Sequence, residues 1–429
     1  LQTNAKIRIR DNATTYNAKV KEDTAGFKII GEVTISQPTS IAQWRVGETS
    51  REVTWTAKGD MCTLTVNYNY GSGYEWLVDV AATAEKWTWE DPSPSISGIA
   101  DHISDTVRVK IEDKDKPSDT SVQSQTFKII GSLDLQWPVG GENVVKGSNQ
   151  NIQWVKWGSI GTLLIEFYNG TGWETLETNY SAGTDGQLTS RAWTVPDKIT
   201  NNAKVKITSN TYPTYTETSN PFTIKGNFSS INPPDSTTVW KVGDTNTITW
   251  VATGTMSTVD IEFSSNGGGG WSFISENKGS LVEGTNNHNW YIDPLDIDFD
   301  VKSNNCLVKI TSDQNPDVNI TSQTFTVIPK ITPTPSTWIA ETTPTITWSY
   351  TGTKTTLVNV ILDRNWTGTW ENETTLATNL PIQTQSQPYT IPTNIGSTRS
   401  GTTRVRFVDT TNSYSYGESA SFAIIGEIT

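Results

Sequence analysis

Three features of the 429-residue sequence predict an all-β chain of tandem sandwich domains. A set of landmark residues recurs about every hundred positions. Between the landmarks, apolar and polar side chains alternate with a period of two. Tryptophan is abundant and cysteine nearly absent, 18 residues against 2.

The repeat is the strongest of these signals. Phe27, Phe127, Phe222, Phe325 and Phe422 close related segments and lie 100, 95, 103 and 97 residues apart. Upstream of each lies a basic, apolar run: KIRI at 6–9, VRVKI at 107–111, KVKI at 204–207, LVKI at 307–310 and RVRF at 404–407. A β-branched or aliphatic residue stands two before Trp55, Trp154, Trp250 and Trp348. A further Trp recurs at 76, 173, 271 and 370, and a last one at 89, 193 and 290, with Tyr389 in the fourth copy. The boundaries follow: a partial repeat over 1–31 carrying only the last two landmarks, then complete repeats over 32–131, 132–226, 227–329 and 330–429.

Within a repeat the pattern is that of half-buried antiparallel strands. Val259, Ile261 and Phe263 share one face and Asp260 and Glu262 the other; LLIEF at 163–167 and TLTVNY at 63–68 behave alike. Thr, Val, Ile, Trp and Tyr fill the runs, while Gly, Asn, Asp, Ser and Pro fill the gaps. No segment shows a helical stripe. About seven short strands per unit, with turn signals between them, read as an immunoglobulin-like sandwich. In the second repeat the strands fall near 133–137, 150–155, 162–168, 173–177, 191–195, 203–208 and 220–225.

Tryptophan then has a structural use. Cys62 and Cys306 lie far apart in the chain, so core packing must replace disulfide staples. Each Trp can bury 150–250 Å², and the Trp on the second strand is expected to fill the space between the sheets. Trp87, Trp137, Trp157 and Trp366 break the phase. Trp87, Trp157 and Trp366 are candidate interaction residues, since an exposed Trp stacks on sugar rings or anchors interfaces; local packing is the competing role.

The sixth strand carries a basic ladder: Lys6 and Arg8, Arg108 and Lys110, Lys204 and Lys206, Lys309, Arg404 and Arg406. These side chains must point away from the core, opposite Glu166 and Glu262 on the third strand. Such cross-strand pairs contribute roughly 0.2–1 kcal/mol each. A solvated, ion-paired face and a contact surface for an acidic partner are both compatible with the pattern.

Composition narrows the function. A formal net charge of −13 disfavours nucleic acid as a partner. No apolar run approaches the roughly 18 residues of a spanning helix. His102 and His288 are distant in sequence, and no CxxC, HExxH, GxSxG or phosphate-binding loop occurs. A unit built four times leaves no unique concave site, so the chain reads as non-catalytic, with no catalytic residues and no cofactor.

The joints between repeats are short. Gly31-Glu32, Gly131-Ser132, Gly226-Asn227 and Pro329-Lys330 each lead one repeat into the next. A flexible linker would be longer and rich in Gly and Ser, so a rod with restricted hinges is expected, about 150 Å for four repeats of 35–40 Å. Residues 1–31 supply only two strands, which are marginal alone. Either this chain is a piece of a longer protein, or these strands complete a sandwich in another copy; the first is favoured, because the last repeat leaves no vacancy.

The pattern W-x-V-G, I-T-W, V-D-I-E-F, W, W-x-I-D-P, V-K-I and S-x-x-F-x-I is fullest in the third repeat: Trp240, Gly243, Ile248, Trp250, Ile261, Trp271, Trp290, Pro294, Ile310 and Phe325. It resembles the Ser/Thr-rich glycosyl-phosphatidyl-inositol-anchored membrane family, whose domain also occurs in yeast cell-wall proteins of the KNH type and in microbial surface proteins. The resemblance covers all four repeats. It implies an immunoglobulin-like fold outside the cell, in walls, surface layers or adhesins, and brings no catalytic residues. Three repeats depart from it. Val144-Val145-Lys146-Gly147 replaces the Trp-x-Val-Gly start, the fourth repeat lacks that Gly in Trp338-Ile339-Ala340-Glu341, and the first inserts Pro-Ser-Pro-Ser after Asp91.

Two kinds of site remain as candidates. Asp296, Asp298 and Asp300 alternate in DIDFD, and Glu112, Asp113, Asp115 and Asp119 cluster in another loop; calcium, which takes six to eight oxygens, is the cation such loops could hold. Asn12, Asn169, Asn179, Asn227, Asn319, Asn365 and Asn372 stand in N-x-S/T sequons and are glycosylation candidates. The expected role is an extracellular structural protein at the cell surface or cell wall: a stalk, surface-layer component or filament subunit. Its partners would be other copies of itself or other surface components. The alternative is an adhesin array that binds glycans or a partner protein.

Overall fold

In the computed structural model the landmarks fall in strands and in the turns beside them. It describes residues 2–10, 20–22, 26–89, 98–233, 235–364, 366, 368–370, 373–391 and 402–426. Among these, strands dominate and the helices are two 3-10 turns, Ala82–Ala84 and Ile382–Thr384. The chain divides into two compact units. One comprises 1–143, 149–194 and 200–223; the other comprises 144–148, 195–199 and 224–429.

The first strands are β1 (Gln2–Ala5), β2 (Arg8–Arg10), β3 (Val20–Glu22) and β4 (Phe27–Ile29). β1 pairs with β4 through Gln2–Ile29 and Ala5–Phe27, and β2 pairs with β3. Repeat 1 follows with β5 (Glu32–Gln37), β6 (Gln43–Arg45), β7 (Glu52–Lys58), β8 (Thr63–Asn69) and β9 (Glu75–Ala81). It ends with β10 (Lys86–Thr88), β11 (Ser104–Asp113), β12 (Ser121–Gln123) and β13 (Phe127–Ile130). One sheet runs β10-β7-β5; the other runs β6-β13-β11-β8-β9, with β12 also on β11. Pairing is antiparallel except for β6 on β13, which is parallel. β6 is where the chain leaves the first sheet for the second. Repeats 2 and 3 keep this order. In repeat 4 the last strand, Ile424–Ile425, pairs in parallel with Trp338–Ile339, and the isolated Thr403–Phe422 bridge links the segment before it to Arg404–Asp409.

The seven strands expected in repeat 2 are all present, and two short ones join them: Asn143–Val145 and Thr216–Thr218. Three residues are too few to show a period. β11–β13 pair through Ser104–Ile129 and Val107–Phe127, the same pattern as β1–β4. In repeat 1 the face so formed is covered: Phe127 and Ile129 are 1% exposed. Phe27 and Ile29 are 40% and 51% exposed.

Trp55, Trp154, Trp250 and Trp348 lie between the sheets at 1%, 0%, 1% and 4% exposure. Each removes enough area from water to stabilise its repeat by about 4–6 kcal/mol on the usual area scale. Burial leaves the indole N–H needing an acceptor. Trp55 donates to the carbonyl of Ala82, Trp154 to Ala182 and Trp348 to Ile382, at 3.3, 2.9 and 2.8 Å. Trp250 finds no acceptor among the described residues. Trp44, Trp240 and Trp338 and the late Trp89, Trp193 and Trp290 are buried as well.

Two further landmarks carry hydrogen bonds. The Ser of S-x-x-F sits where the last strand breaks between its two halves. Ser124, Ser219, Ser322 and Ser419 accept from the backbone N–H of Val109, Val205, Val308 and Val405, each at 3.0 Å. All four are buried, so the hydroxyl satisfies an amide that the broken strand would orphan. The Gly of V-G turns the chain with positive φ at Gly47, Gly147 and Gly243, +75°, +78° and +86°. Glu341 holds the same position in repeat 4 with φ +65°, in a region that costs a side-chain-bearing residue about 1–2 kcal/mol.

Two outcomes are expected. Ser322→Ala will strand the buried Val308 amide and lower stability by about 1–3 kcal/mol in chemical denaturation. Glu341→Gly will raise the stability of repeat 4 by about 1 kcal/mol, read as a shifted denaturation midpoint.

Candidate functional site: the outer face and its aromatic residues

The sheet that contains β11 has an outer face, and the basic ladder stands on it. Lys206 lies opposite Glu166 and Lys309 opposite Glu262, with ion pairs of 2.7 Å in both. In repeat 1 the residue opposite Lys110 is Asn67. There the carboxylate is Glu112, 2.9 Å from Lys110, and Asn67 donates to it at 3.1 Å. In repeat 4, Arg406 pairs with Glu373 at 2.9 Å.

An aromatic ring completes each site. Lys110 lies over Tyr74, Lys206 over Trp173, Lys309 over Trp271 and Arg406 over Trp370, 4.4–4.7 Å from the ring centroids. Every repeat therefore carries the same trio of cation, ring and carboxylate. Such contacts are worth about 0.5–1 kcal/mol at exposed sites, and partly exposed ion pairs add about as much or less.

The trio corrects one expectation. Trp173, 41% exposed, Trp271 and Trp370 hold the ring position on this outer face. Trp76, 56% exposed, is not the equivalent of Trp173. Tyr68–Glu75 and Phe167–Glu174 are matching pairs, which puts Tyr74 in the place of Trp173. Trp76 stands two residues on and donates to Asp79 at 3.3 Å. The signal was present as Gly71-Ser72-Gly73-Tyr74-Glu75 beside Gly170-Thr171-Gly172-Trp173-Glu174.

The unphased Trp residues each have a local partner. Trp87 is half-buried against the core of repeat 1, 5.8 Å from Trp89. Trp366 packs on Trp370 at 5.2 Å, with Arg404 over its ring at 4.7 Å. Trp157 is half-buried and also packs against the repeat 1 core, where Gly47 leaves it room; a Cβ there would lie 2.1 Å from the indole. A cleft of about 610 Å³ opens beside it, lined by residues including Arg45, Glu48, Asp134 and Tyr215. Trp137 lies 6.4 Å from Trp193.

The acidic loops are dispersed in space. Asp300 is buried and accepts from the amide and hydroxyl of Thr353. Asp296 accepts from the Asp298 amide. In the other loop Asp113 accepts from the amides of Asp115 and Lys116, Glu112 serves Lys110, and Asp119 pairs with Lys28. Among the described residues no three His, Cys, Asp or Glu side chains converge as a metal site requires.

Asn179, Asn227 and Asn319 are exposed, and Asn169 is half-buried with its amide on Glu174. Asn12, Asn365, Asn372 and the Pro-Ser-Pro-Ser insertion lie outside the described residues. The Cys306 thiol is buried, which pushes its pKa up to about 11. His102 stacks on Tyr70 with centroids 3.9 Å apart. No helix among the described residues is long and apolar enough to cross a membrane.

No protein-family model matches the chain, and no curated protein does. Solved structures do. Three N-terminal domains of the bacteriophage RB49 Highly Immunogenic Outer Capsid protein are 14% identical, with TM-score 0.25, covering 70% of this chain and 99% of that one. The N-terminal four Ig domains of Dscam1 isoform 1.9 are 12% identical, with TM-score 0.20, covering 92% and 99%. An E-to-A variant of titin domains I67–I69 is 9% identical, with TM-score 0.25, covering 70% and 99%. The chain's own sheets, a three-stranded one facing a larger one in successive repeats, make it a tandem array of immunoglobulin-like domains.

His288 gives the chain a pH dependence. Burial, aided by the charge of Lys278, holds the His288 imidazole below its ordinary value of 6.5. A depressed histidine contributes stability that is complete above 6.5 and is lost as pH falls from there toward the lowered folded value. Denaturation of the intact chain between about pH 5 and 7 will show that slope, and His288→Gln will flatten it.

Proposed function

We propose that this chain is a non-catalytic extracellular structural protein, a repeat array that serves as a stalk, surface-layer component or filament subunit. One observation carries the reading. A trio of cation, ring and carboxylate recurs in four consecutive repeats, assembled from different residues in each. A site shared by every copy suits a scaffold better than an enzyme, whose chemistry needs one unequal place. The protonated, buried Cys306 thiol supports the same conclusion. The partners in this reading are other copies of the chain or other components of a cell surface or wall, in keeping with the wall-protein resemblance. The exposed sequon residues Asn179, Asn227 and Asn319 would be open to glycan attachment there.

A second reading has its own support. Trp76 and Trp173 are 56% and 41% exposed, and a flat exposed indole is the platform on which sugar rings stack. An adhesin would use these faces on glycans.

Negative-stain microscopy of the purified chain separates the two. Filaments or lattices forming with concentration support the structural reading. A monodisperse chain that binds a glycan array, and loses binding on Trp76→Ala and Trp173→Ala, replaces it with the adhesin.

A further inference from the structure

Each complete joint between repeats contains the same pair of loops. The upper repeat contributes a three-residue motif after its late aromatic strand: Asp101-His102-Ile103, Asp197-Lys198-Ile199 and Asp300-Val301-Lys302. The lower repeat contributes a Gly with a hydroxyl residue after its second strand: Gly158-Ser159, Gly254-Thr255 and Gly352-Thr353. The aspartate takes the hydroxyl in all three. At the second and third joints it also takes the Thr amide, at 2.9 Å to one oxygen in each. The first joint lies within one compact unit, and the contacting residues of the other two lie within the second.

The third residue of the motif completes the joint. Ile103 reaches the surface of Gly158, and Ile199 that of Gly254; a Cβ on either Gly would lie 3.0–3.1 Å from the isoleucine methyl. All three glycines are buried with positive φ, +86°, +90° and +96°. At the third joint Lys302 stands in place of isoleucine, and it reaches Asp409 at 2.8 Å and Thr411 at 2.9 Å. Asp409 is 2% exposed and Lys302 12%. An apolar plug has been exchanged for a buried ion pair at a fixed place in the same frame.

A linker that only connects needs none of this. We propose that the Asp-x-Ile/Lys loop and the Gly-Ser/Thr turn are the two halves of a dedicated lock, and that a repeat end carrying one half is an interaction surface whose partner is the repeat end carrying the other. The bonds are charge-assisted, the glycines admit close backbone approach, and the plug or ion pair excludes water. Adjacent repeats are therefore coupled: opening a joint strips the aspartate of its partner, and at the third joint it exposes the buried Asp300. This holds whether the array supports a surface or binds one.

Native-state hydrogen exchange on the intact chain tests the lock at the third joint. Asp300→Ala is expected to speed exchange of the Thr353 amide about tenfold or more and to spread to the 409–415 loop, the effect of losing hydrogen bonds to a charged acceptor. Thr353→Ala will speed the same region, the double variant will be no faster than Asp300→Ala, and Thr353→Ser will exchange like the parent, as Ser159 serves at the first joint. Asp300→Asn keeps an acceptor without the charge and will be intermediate; should the alanine variant not fold, it must still exchange faster than the parent. Unchanged exchange in the aspartate variants, additive single effects, or acceleration spread evenly through repeat 3 would each overturn the lock.

Discussion

In each repeat one enclosed indole on the second strand packs between the two sheets. A sandwich of about a hundred residues has a modest core, and many such domains tie their sheets covalently. This chain has only Cys62 and Cys306, both free, one exposed and one buried. Trp55, Trp154, Trp250 and Trp348 supply the contact that a disulfide would otherwise fix. The other core landmarks are arranged around that choice. Trp44 packs at 4.7 Å on Phe127 and at 5.5 Å on Trp89, Trp240 at 4.8 Å on Phe325 and at 6.0 Å on Trp290, and Trp338 at 4.7 Å on Phe422. The serine at the strand break and the left-handed glycine hold the backbone in the path that this packing demands.

Outside the core, aromatic residues serve a different purpose. A row of exposed rings on a β-sheet invites edge or face association. Here each ring lies beside a cation that an adjacent carboxylate also holds. The repeats reach this by different residues: Asn67 with Glu112 in repeat 1, Glu166 and Glu262 on the opposing strand in repeats 2 and 3, and arginine in repeat 4. Conserved geometry with varied chemistry points to a requirement on the surface as a whole.

Much of the fold was legible in the sequence. Alternation in Val259-Asp260-Ile261-Glu262-Phe263 placed a strand and both its faces, and the outward pairing of Lys206 with Glu166 followed from strand order. The switch strand Asn143–Val145 was missed because three residues carry no period. The Trp76 assignment failed for another reason. Matching by residue type preferred a tryptophan to the tyrosine that stood in register, although the flanking glycines and glutamate were aligned without a gap. The aromatic–cation contacts join strands that are distant in sequence, and so do the joints. Asp300, read as one of three metal-ligand candidates, instead faces a threonine of the next repeat. No local pattern in DIDFD distinguishes these roles; only the fold brings Thr353 to it.

The two halves of a joint differ, one acidic and one hydroxylic, so repeats 2 and 3 each carry a head and a tail. Interfaces of that kind are indifferent to how many units precede or follow. Where isoleucine closes the joint, duplicating or deleting a unit in frame repeats a contact of a kind already present, whereas across the third joint Lys302 and Asp409 must be kept together. Array length can therefore drift during evolution at little structural cost, while a substitution at one Asp or Gly of a joint is felt on both sides of it.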